Sequence, residues 1–209
     1  MPLEFDLNQL SPAQATHDLV IVGAWADKSL SPSAKALDAA SGGRIAALLD
    51  SGDLSGKAGR TGLLHGLAGV DSARVLVVGL GESAKFDAGA FRKAVIEAVK
   101  AAGQTGATTA LLTLSELPVP GREAGWSITQ AVVAADHASY RYTATRSDKN
   151  NGSKLARVTV LGEAAQQAAL ADGVGIARGV AFARELGNLP PNICNPAFLG
   201  EEGQRLAAE

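Results

Sequence analysis

A chain of 209 residues is long enough for one domain, or one domain with an appendage, and for a core that covers well over half of its unfolded surface. Its net charge of -2 and pI near 5.9 exclude a global pull toward nucleic acid or anionic lipid. With 46% hydrophobic but only 4% aromatic residues, the core has to rest on Val, Leu, Ile and Ala.

The first element in chain order is Leu3 to Leu7, where apolar and acidic residues alternate as in a half-buried strand. Leu19-Val20-Ile21-Val22-Gly23 is a β-branched run that reads as a fully buried strand. Ser31 to Asp50 turns helical, with Ile45, Leu48 and Leu49 on one face, and residues 51–57 follow as a turn-rich loop. Thr61 to Leu67 is a further strand. Arg74 to Gly81 is the clearest buried one. The next helix has Asp87 as N-cap, an apolar stripe of Phe91, Ala94, Val95, Ala98, Val99 and Ala102, and Gly103 as its stop. Thr109 to Leu114 reads as strand, roughly Gly121 to His137 as helix, Asp148 to Ser153 as a polar turn, and Arg157 to Leu161 as the last strand. Alternation of this kind predicts an α/β fold: a mixed, mainly parallel sheet flanked by helices on both faces.

Beyond Gly162 the pattern changes. Glu163 to Leu186 reads as one long connecting helix of roughly 36 Å, more than a compact domain of this size needs. Gly175, Gly179 and Ala183 recur every fourth residue, which predicts a face that another backbone approaches closely. Asn195-Pro196 supplies the N-cap and N1 of another helix, which reaches Glu209 with no C-cap. The expected organisation is an α/β domain over 1–162, a connecting helix over 163–187, and the opening of a second, truncated domain over 188–209.

Candidate sites are few. Gly79-Leu80-Gly81-Glu82-Ser83-Ala84 follows a buried strand and resembles a dinucleotide fingerprint, which would make this a nucleotide- or ADP-ribose-binding domain. Against that, the helix starts only at Asp87, and the next acidic residue at a strand end is Glu116, ~35 residues on rather than the ~20 a ribose contact requires. His17, His65 and His137 have no ligand-spaced partner, and H-E-x-x-H, paired cysteines and G-x-S-x-G are all missing. Cys194 is the only cysteine, so it cannot form an internal disulfide, and no base flanks it. Adjacent Glu201 and Glu202 point apart on a helix. Arg141, Arg146, Lys149, Lys154 and Arg157, interleaved with Tyr140 and Tyr142 and opposed only by Asp148, have the composition of a nucleic-acid surface or of a solvated loop. Met1 to Asp6 lacks the features of a secretory signal, and no apolar run approaches the ~20 residues of a membrane helix. A reducing cytosol fits best.

Three stretches together carry a family resemblance. Leu54 to Thr61, with Gly52-Asp53 ahead, is similar to a G-D-x-x-G-K-x-G-x-T pattern; Ala73 to Gly81 is followed by Phe91-Arg92-Lys93-Ala94; and Gly179 to Pro196 contains the unusual Asn188-Leu189-Pro190-Pro191-Asn192-Ile193-Cys194. They resemble the leucyl aminopeptidase (cytosol aminopeptidase) family. The resemblance implies an N-terminal α/β domain, a long connecting helix and a C-terminal catalytic domain. In that domain Lys, Asp and Glu side chains would hold two divalent metals, Mn or Zn, that activate a water to release residues such as leucine from peptide N-termini. It also implies a homohexamer, and some bacterial relatives bind DNA. The family's motifs G-K-G-x-x-x-D-[ST]-G-G and N-T-D-A-E-G-R do not occur in these residues, so no catalytic, cofactor-binding or metal-binding residue carries over to this chain, which alone is expected to be inactive.

Overall fold

The computed structural model describes residues 3–145 and 152–208. Six strands form one sheet: β1 (Glu4–Asn8), β2 (Leu19–Trp25), β3 (Thr61–His65), β4 (Arg74–Gly81), β5 (Thr109–Leu112) and β6 (Arg157–Leu161). Their order is β1-β6-β5-β2-β4-β3, parallel throughout except for β3, which runs antiparallel to β4 at one edge. The sheet is therefore mixed and mainly parallel, as the alternation of elements predicts.

Two helices, α1 (Pro32–Ala40) and α2 (Arg44–Ser51), cover one face, where Leu37, Ile45 and Leu49 meet Val20, Val22, Val75 and Val77. The opposite face is covered by α3 (Ala88–Gly103), α4 (Ala124–Ser139) and the first half of α5 (Gln167–Asn188). Central strands buried on both faces need apolar residues at every position, and β2 is buried from Leu19 to Ala24. All six stripe residues of α3 are buried, and the Asp87 carboxylate accepts the Ala90 N–H at 2.8 Å.

Several expected boundaries move. The single helix expected over Ser31–Asp50 is two, because Gly42 and Gly43 adopt φ of 68° and 82° and break the ladder. Asp38 then caps the second helix, its Oδ1 accepting from Ile45 N–H (2.8 Å) and Ala46 N–H (3.0 Å). β5 stops at Leu112, since residues 114–116 tighten into a 3-10 turn. The following helix starts at Ala124 rather than near Gly121, which sits at φ 70°. Residues 164–166 form a 3-10 turn closed by a capping box between Glu163 and Gln166, so α5 proper begins at Gln167. The polar turn expected at Asp148–Ser153 lies largely outside the described residues, as do Arg146 and Lys149.

The small-residue face of α5 also needs correction. Helix α4 approaches α5 at Gly173, where an added Cβ would sit 2.9 Å from Val132 Cβ and 3.0 Å from Thr129 O. Gly175 and Gly179 have nothing within 4 Å of a Cβ position. Among the described residues the close approach thus occurs at Gly173, two residues before Gly175 and on a different face. The last helix, α6 (Pro196–Ala207), has the expected start, with Asn195 Oδ1 accepting the Phe198 N–H at 3.1 Å, but none of its residues is buried.

Candidate functional site

In an open parallel sheet, ligands bind at the carboxyl ends of neighbouring strands whose following helices go to opposite faces. Here β2 meets that criterion with both of its neighbours: α1 follows β2 onto one face, while α4 after β5 and α3 after β4 go to the other. A crevice of about 460 Å³, lined by residues that follow β1, β5 and β6, lies at the N-terminus of α1. That N-terminus is already occupied. Ser33 donates its backbone N–H to Glu116 Oε1 (2.9 Å) and its hydroxyl to Oε2 (2.6 Å), so a carboxylate of the chain itself stands where a phosphate would bind. Glu116, which is too far along the sequence for a ribose contact, is an internal anion.

Residues Gly79 to Gly81 are filled in a similar way. The loop at 56–60 lies against them: Gly59 donates to Gly79 O (2.9 Å), Gly79 to Arg60 O (2.7 Å) and Gly81 to Gly56 O (2.9 Å). A Cβ on Gly79 would strike Lys57 O, and one on Gly56 would strike Trp25 O. These glycines are required by backbone meeting backbone, which gives the Gly-Lys-Ala-Gly stretch a packing role and leaves no room for a pyrophosphate. Asp87 spends its carboxylate on the first turn of α3.

The basic stretch is less exposed to a partner than its composition suggests. Arg157 pairs with Glu4 at 2.8 Å and lies 3.9 Å from Asp6. The Tyr140 ring lies 3.8 Å under the Arg184 guanidinium, and its hydroxyl accepts from Asn188 Nδ2 at 3.0 Å. Together with half-buried Asp136, whose carboxyl is pushed up by burial against the opposing pull of Arg184 and His137, this cluster ties the end of α4 to the second half of α5. Sequence reasoning did not find it, because its members lie more than forty residues apart and share no motif.

The histidines are dispersed. His65 is exposed on β3, and His137 Nδ1 accepts from Arg184 at 3.3 Å. His17 Nε2 lies 2.8 Å from the Thr159 hydroxyl, which donates onward to Asp6 Oδ1 at 3.4 Å. Nε2 is therefore the donor, and Nδ1 is left buried with no partner among the described residues. In a nucleophilic triad the carboxylate orients the imidazole; here it binds the hydroxyl, which is itself buried in the sheet. Burial lowers the His17 pKa, opposed by Asp6 and Asp18. Cys194 is a half-buried free thiol, and Glu202 turns to Arg205 at 2.8 Å while Glu201 is exposed. Among the described residues no three His, Cys, Asp or Glu side chains converge as metal ligands, so these residues do not fit a two-metal centre. No described helix is long and apolar enough to cross a membrane.

Comparisons with known proteins agree on one family. The profile of the cytosol aminopeptidase family, N-terminal domain, matches residues 21–149. A probable cytosol aminopeptidase of Xylella fastidiosa (strain M12) is 56% identical over the whole of this chain and 43% of its own length. One from Stenotrophomonas maltophilia (strain K279a) is 54% identical over the whole of this chain and 42% of its own length. The chain thus spans less than half the length of these curated relatives. Among solved structures, a tomato leucine aminopeptidase mutant superposes with a TM-score of 0.79 at 24% identity, covering 99% of this chain and 42% of that one. The bottromycin maturation enzyme BotP in complex with Mn gives 0.70 at 24% identity, covering 93% and 36%. On the profile match, which takes in more than half of its residues, the chain belongs to the cytosol aminopeptidase family and carries that family's N-terminal domain.

Proposed function

We propose that these residues are the non-catalytic part of a cytosolic, metal-dependent aminopeptidase that releases N-terminal residues such as leucine from peptides. The domain over 1–162 shapes access to the active site, 163–187 is the connecting helix, and 188–209 opens the catalytic domain. In this reading the two divalent ions, Mn or Zn, are held by side chains in the part of the relatives that this chain does not match. They supply the activated water, and the full-length protein is a homohexamer.

The observation that carries this reading is the distribution of exposed large apolar side chains. Of six such side chains among the described residues, five (Ile176, Val180, Ile193, Leu199 and Leu206) lie in the last thirty-four residues, Leu63 on β3 being the sixth, and Leu206 is 54% exposed. An apolar strip of this kind on a folded domain marks a surface built to be covered. The long relatives supply further chain to cover it. Within 3–162 the polar groups at the natural ligand positions are spent on internal bonds, which suits a scaffold.

Hydrolysis of leucine p-nitroanilide tests the proposal. The 209-residue chain is expected to give no turnover with Mn²⁺ or Zn²⁺, and the same chain joined to the remainder of its reading frame is expected to turn over. Turnover by the short chain overturns the assignment of the chemistry to another domain. A silent long chain overturns the aminopeptidase reading itself.

A further inference from the structure

A second combination of cation and aromatic, with two cations on one ring, occurs between the N-terminal ends of α3 and α4. Trp126, in the first turn of α4, has the Arg92 guanidinium 5.5 Å from its ring centroid and that of Arg122 5.2 Å away. Its ring also packs against Phe91, tilted by 54° at a centroid distance of 5.6 Å. Arg92 uses Nε to hold Gln130 Oε1 at 2.7 Å, which leaves its two terminal amino groups for other work. Neither guanidinium has an ion-pair partner among the described residues, and both side chains are exposed. Asp87, which caps α3, is spent on Ala90 N–H, and Glu123, next to Arg122 in sequence, is exposed with no capping bond.

Two like charges gathered on one indole repel each other, and stacking alone needs only one of them. Contact with the indole, and for Arg92 the bond to Gln130, restricts the side chains in advance, so ordering them around a ligand that accepts from them costs less. A tetrahedral oxyanion can accept from both forks at once, which a single carboxylate of a neighbouring side chain does less well. We propose that Arg92 and Arg122, steadied by Trp126, form a binding site for a phosphate group. The group can reach it as free phosphate, on a nucleotide, or along a nucleic-acid strand. This site is independent of the crevice closed by Glu116 and of the aminopeptidase reading.

Trp25 and Trp126 are the only tryptophans, so Trp25→Phe leaves one reporter. That variant, titrated at constant ionic strength with inorganic phosphate, AMP and oligothymidylate, is expected to show a saturable change in Trp126 emission with at least one of them. The ligand that saturates at lowest concentration identifies the source of the phosphate. For oligothymidylate, affinity must also fall as salt rises. Adding Arg92→Gln and Arg122→Gln is expected to weaken binding by roughly tenfold or more, since charge-assisted hydrogen bonds are lost. Phosphorus-31 line broadening on the unsubstituted chain repeats the measurement should Trp25→Phe disturb the fold. No saturable change with any of the three ligands, or binding that survives the double substitution, overturns the proposal.

Discussion

Strand β2 and helix α6 both carry large apolar side chains but meet opposite fates. Every residue of β2 from Leu19 to Ala24 is buried, between α1 and α2 on one side and α3 and α4 on the other. No residue of α6 is buried, although Leu199 and Leu206 lie on it. Helix α5 joins the two regimes. Leu170, Gly173 and Ala177 are packed against α4, while Ile176 and Val180, on the turns between and beyond, are exposed. Large apolar side chains therefore report a core in one place and an unfilled contact in the other. What separates them is whether the residues at hand include a partner.

The largest effect that tests this contrast comes from paired substitutions on α5. Gly173→Ala is expected to destabilise by about 1–3 kcal/mol, because its methyl group is forced against Val132 and the Thr129 carbonyl. Gly179→Ala, with open space around it, is expected to stabilise the 209-residue chain by up to about 1 kcal/mol through helix propensity. Urea unfolding of both variants checks the pair, and equal effects at the two positions would remove the distinction between packed and open faces.

A smaller effect concerns pH at the amino ends of the strands, within the packed region. Burial holds the His17 pKa below its ordinary value of 6.5. As pH falls through that value, the unfolded chain takes up a proton that the folded chain resists, so stability declines with acid and is fully recovered above it. Asp18, held at about 2 chiefly by hydrogen bonds from the Thr108 hydroxyl and backbone and from Thr109, acts lower on the scale. Its contribution is present above the ordinary carboxylate value of 3.8 and is lost as pH falls through about 2. His17→Gln is expected to flatten the fall in Tm between neutral pH and about pH 5 while leaving the steeper loss below pH 4 in place. An unchanged slope would show that the imidazole is not the group responsible.

Much of the packed region was legible because its signals are local. The β-branched runs of β2 and β4, the stripe of α3 with its Asp87 cap, and the Asn195-Pro196 start of α6 each lie within a short window. What escaped depends on contacts between distant residues. Gly42-Gly43 reads as tolerable inside a helix until Asp38 is seen to cap the helix that follows. That Gly173 rather than Gly179 receives α4 depends on how α5 is rotated about its axis, which a four-residue spacing does not specify. Glu116 and Ser33 lie 83 positions apart, and only the sheet order brings them together. The family resemblance was legible for a related reason. Its Gly-rich stretch records backbone contacts at Gly56 and Gly79 that tolerate no side chain.

Hydrogen exchange on the 209-residue chain, read segment by segment, tests the central contrast most directly. Amides of β2, β4 and α3 are expected to exchange only through global unfolding, and those of α6 through local opening, faster by orders of magnitude, with a boundary inside α5 beyond Ala177. Protection of α6 equal to that of β2 in the isolated chain would contradict the account. It would mean that the exposed apolar strip needs no further partner.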